Sequence, residues 1–327
     1  MKAAWYERTG EAQKVLQIGE LDNPLPNKGE VLVQLKTSGI NPSDVKTRAG
    51  ARGDLQFPKI VPHSDGAGTI VDVGEGVDKK RIGERVWIWN GAFGRAFGTC
   101  AELISLPEFQ AAKINDSVDF KSAACMGIPA STAYYGIFAN GSVKDKTVLI
   151  SGGAGAVGFY GIQLAKLSGA SVITTISSDE KAKVAQEAGA DKVINYKNED
   201  VVEEIMNFSN NKGVDRIFEV EFGGNLSINE KVIKSNGVIA AYGSMADMEP
   251  KLPFYKLMFK GTKIDTFLIY SINQNFRKEL IDGLSKMLNE NSLKHMVTRT
   301  FSIDNIIEAH EAMEGGNIIG NIVVEVT

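Results

Sequence analysis

The 327-residue chain is 43% hydrophobic and 23% charged, as in an ordinary water-soluble globular protein, and its length suits roughly two domains of about 150 residues. With 36 basic against 40 acidic residues the formal net charge is −4, which leaves no basic footprint for nucleic acid or for an anionic membrane surface. No run approaches the roughly 20 apolar residues of a membrane helix, and the two cysteines, Cys100 and Cys125, make neither a disulfide framework nor a Cys-rich zinc pattern, so a reducing, cytoplasmic setting is expected.

The opening MKAAWYERTG lacks an apolar core and is expected to begin a strand rather than serve as a signal peptide. The first 120 or so residues carry short β-type runs punctuated by Gly and Pro, at 31–35, 69–73 and 85–89, and suggest a small, mostly antiparallel β domain or barrel. Within this half, PHSDGAG at 62–68 sets His63 two residues before Asp65. A metal or acid–base site can look like this, but Pro, Asp and Gly are also good loop chemistry. Both readings stand on the residues alone.

From about residue 120 the pattern changes. DFKSAACMGIPASTAYYGIF has helical spacing with small residues. After Lys144, strand candidates at 147–151, 171–176, 192–195, 216–219, 238–242 and 264–267 alternate with helices, which argues for a parallel, doubly wound sheet. An amphipathic helix over FRKELIDGLSKMLNEN follows, and the chain ends in a strand, IIGNIVVEV, that resembles the first half. The expected division is therefore 1–123, 124–269 and 270–327, with the last segment returning to complete the first domain. His295 and His310 are expected to be structural, on amphipathic surface helices.

The most informative stretch is TVLISGGAGAVGFYGIQLAKLSGASVITTISS. It holds Gly153, Ala154, Gly155, Ala156, Val157 and Gly158 between an apolar strand and a helix, the fingerprint of a dinucleotide site. The first glycine is expected to make the tight turn and the second to let backbone approach a pyrophosphate. The third should allow helix and strand to pack closely, with the phosphates at the helix N-terminus. The second strand ends in Ser177 and Ser178, with Lys181 close behind, where an NAD site would carry a carboxylate. Hydroxyls and an ammonium suit the 2′-phosphate of NADPH. Ser177 with Glu180 also reads as a capping box, and the two readings are compatible.

These residues, together with SGINPSDVKTRAG, PHSDGAGTIVDVGEGV, IPASTAYYGI, GADKVINY and AAYGS, give the whole chain a resemblance to the medium-chain dehydrogenases/reductases of the zinc-independent quinone oxidoreductase (zeta-crystallin-like) type. The resemblance implies an α/β protein with a GroES-like β-rich catalytic domain around an inserted Rossmann domain, and a homodimer paired through sheet edges, with VIAAYGS and KIDTFLI as candidates. It implies an NADPH-dependent reductase of quinones or activated enones. An alkenal double-bond reductase and a non-catalytic NADPH-binding protein are the alternatives.

Zinc alcohol dehydrogenases have Cys where this chain has Asn41 and a His-Glu pair where it has Ser64-Asp65, so His63 is one place out of register and no metal is expected. PHSDGAG then becomes a loop entering a strand, with Asp65 structuring the turn and His63 a substrate-side variation. By resemblance, Asn41 and Asp44 line the nicotinamide and substrate pocket, with an Asn-Pro turn and Asp cap as the alternative, and with Asp44 expected to hold the loop or pair with Arg48. Thr132 corresponds to a threonine near the nicotinamide, unless it back-bonds within its helix. Tyr196 would lie beside the adenosine phosphate, Gly243 and Ser244 at the carboxyl end of the fifth strand where such ligands lie, Phe267 and Leu268 would face the nicotinamide, and Gly320 and Asn321 are carried over as cofactor contacts. The chain departs from the family in carrying His63 where relatives have Gly, and in having ARGDLQF where a tyrosine would stack on a quinone ring.

Overall fold

The computed structural model describes residues 1–316 and 318–327. They form two compact units, Met1–Ser131 with Ile281–Thr327, and Thr132–Leu280. The divisions fall after Ser131 and Leu280, later than the expected breaks after residues 123 and 269.

The first unit is built on the eleven-residue strand Glu30–Ile40, whose EVLVQLKTSGI run is buried along most of its length. Asp65–Val73 and Leu103–Pro107 pair with it antiparallel. The last strand, Asn321–Glu325, pairs antiparallel with the end of the same strand, Ile322 opposite Ile40, so the tail does return to the β-rich unit. The pairing with Asp65–Val73 is interrupted by shifts between Leu32 and Val33 and between Leu35 and Thr37. Gly68 sits there because a Cβ would lie 2.1 Å from the Gln34 carbonyl oxygen. Val31, Val33, Leu35, Ile70, Ile88, Ile104 and Val324 form the core, each side chain worth about 1.5–3 kcal/mol on full burial.

The second unit is a six-stranded parallel sheet. In chain order its strands are β1 (Thr147–Ile150), β2 (Ser171–Ile176), β3 (Lys192–Asn195), β4 (Val214–Glu219), β5 (Ile233–Ala241) and β6 (Lys263–Thr266). Their spatial order is β3-β2-β1-β4-β5-β6, the doubly wound arrangement whose order reverses between β1 and β4. Crossover helices such as Ala156–Leu167 and Phe222–Val232 connect parallel neighbours. Leu149, Ile173, Ile194, Ile217 and Ile239 are fully buried, as strands covered on both faces require. VIAAYGS belongs to β5, between β4 and β6, so of the two expected edges only KIDTFLI is one. Arg216 on β4 is buried and its guanidinium donates to the carbonyls of Ile137, Asn140 and Gly141, capping the helix Ser131–Phe138. No helix among the described residues is long and apolar enough to cross a membrane.

Candidate active site

The carboxyl ends of β1, β2, β4, β5 and β6 carry most of the residues singled out in the sequence. After β1 the tight turn is made by Gly152, at φ +74°, not by Gly153 as expected. Gly153 is instead a packing residue: a Cβ there would lie 2.2 Å from Thr174 Oγ1. Gly158 packs the helix onto the turn, with a would-be Cβ 2.3 Å from the Gly152 carbonyl oxygen. At Gly155 the nearest atom to a Cβ is 3.4 Å away, which leaves its backbone open to a ligand. Gly155 is also the N-cap of the helix Ala156–Leu167, and no side chain caps it. Ala156, Val157 and Gly158 thus begin a helix whose first N–H groups are suited to an anion.

At the end of β2, Ser177 Oγ accepts a hydrogen bond from Lys181 Nζ at 3.1 Å. The helix cap here is Ser178, whose hydroxyl accepts from the Lys181 backbone at 3.4 Å, so the capping-box reading of Ser177 is corrected. Tyr196 follows β3 and is exposed. After β5 and β6, Gly243, Ser244, Phe267 and Leu268 line a cavity of about 520 Å³ together with Tyr242 and Met248. Phe267 is held by Tyr135, with ring centroids 4.4 Å apart.

Glu219, which ends β4, was not foreseen. Its side chain is fully buried, and Ser151 Oγ (2.9 Å), the Glu221 backbone N–H (2.8 Å), Asn225 Nδ2 (3.0 Å) and Asn229 Nδ2 (2.8 Å) all donate to it. The signal was a Glu directly after the apolar pair Ile217-Phe218, beside the point where the strand order reverses.

In the first unit, Asn41 and Asp65 are buried and joined, Asn41 Nδ2 donating to Asp65 Oδ2 at 2.8 Å. Asn41 also caps the helix Pro42–Ala49, its backbone N–H donating to Asp44 at 2.8 Å, which is the Asn-Pro turn with an Asp cap. Burial raises Asp44 to about 7, opposed by the Asn41 N–H and by Arg52. Burial also holds Asp65 well above the carboxylate range. Arg48 does not pair with Asp44; its guanidinium bonds Glu314 and the Gly10 carbonyl. Asp65 begins a strand rather than a turn. Thr132 is buried at the start of its helix, where Ser131 makes the back-bond, to Met126 O at 3.0 Å. Asn321 Nδ2 donates to Met296 O at 3.1 Å.

His63 lies in the left-handed region, at φ 77°, and faces the core. Its Nε2 is 2.9 Å from Nε2 of His310, with the rings stacked. His310 is fully buried on Ile306–Glu314, not on a surface face, and His295 lies in the loop before Val297–Ser302 rather than on a helix. The protons of this chain follow from its far end. Thr99 Oγ1 donates to the Asp65 carbonyl at 2.5 Å, so Ser38 donates to Thr99, and Ser38 must accept from His63 Nδ1–H. His63 Nε2 is then an acceptor, and His310 Nε2–H donates to it. Both rings are neutral. Burial pulls His63 well below its usual range, and burial with Arg48 nearby lowers His310 to about 3.

Residues 27–140 match the alcohol dehydrogenase GroES-like domain, and residues 156–286 match the zinc-binding dehydrogenase family. The quinone oxidoreductase of Homo sapiens is 26% identical over 305 residues, covering 92% of this chain and 90% of the human protein. The structure of an NAD-dependent alcohol dehydrogenase superposes with a TM-score of 0.88 at 26% identity, and that of a mycobacterial protein complexed with NADPH with 0.86 at 25% identity; each covers 100% of both chains. The chain belongs to the medium-chain dehydrogenases/reductases, a family of nicotinamide-dependent oxidoreductases. The second family's description names zinc; among the described residues no group of three or more His, Cys, Asp or Glu side chains is placed to hold a metal ion.

The neutral histidine pair makes stability depend on pH. Because the folded state holds His310 at about 3, it costs nothing above the unfolded value and destabilises as pH falls below it. The loss reaches about 2 kcal/mol between roughly pH 6.5 and pH 5. In His310→Gln the amide can still donate to His63, but this titration is gone. Urea midpoints should therefore show the advantage of the wild type over His310→Gln shrinking by that amount on acidification. A gap that stays constant with pH would contradict neutral burial of His310.

Proposed function

We propose that the chain is an NADPH-dependent, zinc-independent reductase that delivers hydride to quinones or activated enones, in a reducing, cytoplasmic setting. The observation that carries this reading is the end of β2. There Ser177, Ser178 and Lys181 gather two hydroxyls and an ammonium, and Lys181 Nζ already lies 3.1 Å from Ser177 Oγ. Such a group complements a phosphate, whereas a carboxylate there would repel one. The turn fits the rest of the dinucleotide. Gly155 leaves its backbone open, Ala154 and Gly153 carry the chain past it, and the uncapped helix start at Ala156 offers N–H groups to the pyrophosphate.

In this account Tyr196 lies beside the adenosine, and Gly243, Ser244, Phe267 and Leu268 form the cavity for the nicotinamide end. Bound there, the reduced ring supplies the hydride. Tyr242 and Phe267 give the cavity an apolar lining, beside which hydrogen bonds to the oxygen that gains charge are strengthened. Asn41 and Asp44 are assigned to the nicotinamide and substrate pocket, and Thr132 to the nicotinamide, by resemblance alone. Asn321 is assigned to the cofactor on the same basis, although its amide is committed to Met296. Without a metal to polarise a carbonyl, positioning favours acceptors that take hydride readily. The missing aromatic at ARGDLQF favours enones within that class.

Fluorescence titration should show NADPH binding about tenfold or more tighter than NADH, and Lys181→Ala should remove about that factor for NADPH while changing NADH little. Oxidation of NADPH is expected with 1-octen-3-one or 1,2-naphthoquinone, and to survive chelation. A preference for NADH that persists in Lys181→Ala would overturn the cofactor assignment. Binding without turnover on either acceptor would favour a non-catalytic NADPH-binding protein.

We further propose a homodimer. β6 ends its sheet, and the preceding helix Phe254–Phe259 presents Phe254, Tyr255 and Phe259 at 58%, 69% and 81% exposure. An open strand edge beside exposed aromatics is a surface suited to a second copy. Light scattering should give the mass of two chains for the wild type and one for Phe259→Glu; a monomeric wild type would contradict the proposal.

A further inference from the structure

The loop that follows β5 is fastened to the first turn of the helix Phe222–Val232 by an unusual set of bonds. Glu221, the residue before that helix, accepts from the Met245 backbone N–H at 2.9 Å through each carboxylate oxygen and from the Ala246 N–H at 2.9 Å. The Phe222 N–H donates to the Gly243 carbonyl at 2.8 Å, and the Gly223 N–H to Ser244 Oγ at 2.8 Å. Ser244 Oγ in turn donates to the Asp247 carbonyl. The two backbones approach so closely that a Cβ on Gly223 would lie 2.1 Å from the Asp247 carbonyl oxygen, and one on Gly243 2.4 Å from that of Val220. The contact exists only because both positions are glycine.

This fastening bears on the cavity, because the fastened loop carries Met248 and Pro250, and both line it together with Phe267 and Leu268. Met248 is 69% exposed, so neighbouring side chains do little to hold it and its place depends on the loop's attachment. The attachment also continues inward. The Glu221 backbone N–H donates to the buried Glu219 carboxylate, which accepts from Ser151 directly before the Gly-rich turn. One run of hydrogen bonds therefore ties the cavity wall to the dinucleotide turn.

We propose that Glu221 is a specificity-determining positioning residue: by gripping the amides of Met245 and Ala246 it holds Met248 and Pro250 as the wall against which the uncharged, apolar body of a bulky acceptor packs. The wall offers thioether and hydrocarbon and no cation, so it selects acceptors by apolar size rather than charge. This rests on the reductase reading above.

The test compares the wild type with Glu221→Ala, Glu221→Gln and Met248→Ala, using NADPH with a bulky acceptor (9,10-phenanthrenequinone) and a small one (but-3-en-2-one). Glu221→Ala should raise KM for the bulky acceptor about tenfold and for the small one by less than about threefold, with the Kd for NADPH nearly unchanged. Glu221→Gln keeps an acceptor oxygen for the two amides and should recover most of the discrimination. Met248→Ala trims the wall without touching the fastening and should reproduce the loss even if Glu221→Ala folds poorly. A uniform loss on both acceptors, or a loss in NADPH affinity instead, would overturn the specificity role.

Hydrogen exchange of the Met245 and Ala246 amides reads the fastening in the protein alone. Exchange should be slow in the wild type and faster in Glu221→Ala, and equal rates would overturn the fastening whatever the activity. A wild type that binds NADPH and reduces both acceptors, with the two KM values changed equally by Glu221→Ala, would sink this inference and leave the reductase reading intact. A wild type that binds no nicotinamide would sink both.

Discussion

A carboxylate with no exposure to water has to be neutralised by a cation, protonated, or surrounded by donors. Glu219 takes the third course, and the geometry of the candidate site in the second unit hangs on it. Its four donors come from the end of β1, from the residue after Val220 and from two asparagines one helical turn apart. Satisfying this one group fixes Ser151 just before the Gly-rich turn, the start of the helix Phe222–Val232, and the backbone that presents Glu221. Losing any donor would leave part of a buried charge unsatisfied, which costs about 1–3 kcal/mol, so the arrangement is held as a unit.

The first unit meets the same constraint with neutral groups. Asn41, Asp65, Ser38, Thr99, His63 and His310 are all buried polar residues: His310 donates to His63, His63 to Ser38, Ser38 to Thr99 and Thr99 to the Asp65 carbonyl, while Asn41 donates to the Asp65 carboxyl. The chain of donors ends on the Asp65 carbonyl, which has no proton to pass on, so it holds groups in place rather than conducting protons. PHSDGAG owes its look of a metal site to this network: a histidine and an aspartate stand close in sequence because both are core residues with buried partners.

Much of the fold was legible because periodicity reports burial. The apolar runs at β1, β2 and β4, and the glycines after β1, place the parallel sheet and its ligand-facing turn without further information. What escaped depends on space rather than order. Strand order is not written in the chain, so VIAAYGS and KIDTFLI looked equally suited to an edge. Glycine roles depend on what lies opposite: Gly152 takes the left-handed turn, while Gly153 is glycine because Thr174 leaves no room for a Cβ. Ser178 displaced Ser177 as the cap by one residue, a difference no spacing rule resolves. His310 could have been read correctly, since Ile306, Ala309 and His310 share one buried helical face. Glu219 and Glu221 were missed because charged residues at a strand end ordinarily face solvent.

The account turns on what meets the end of β2, and 31P NMR of NADPH titrated with the protein observes that place directly. The 2′-phosphate resonance should shift on binding to the wild type, its titration moving to lower pH beside Lys181, and both changes should be lost in Lys181→Ala while the pyrophosphate resonances still respond. Pyrophosphate resonances that shift while the 2′-phosphate stays at its free position in the wild type would show a dinucleotide held without recognition of that phosphate, and would contradict the account.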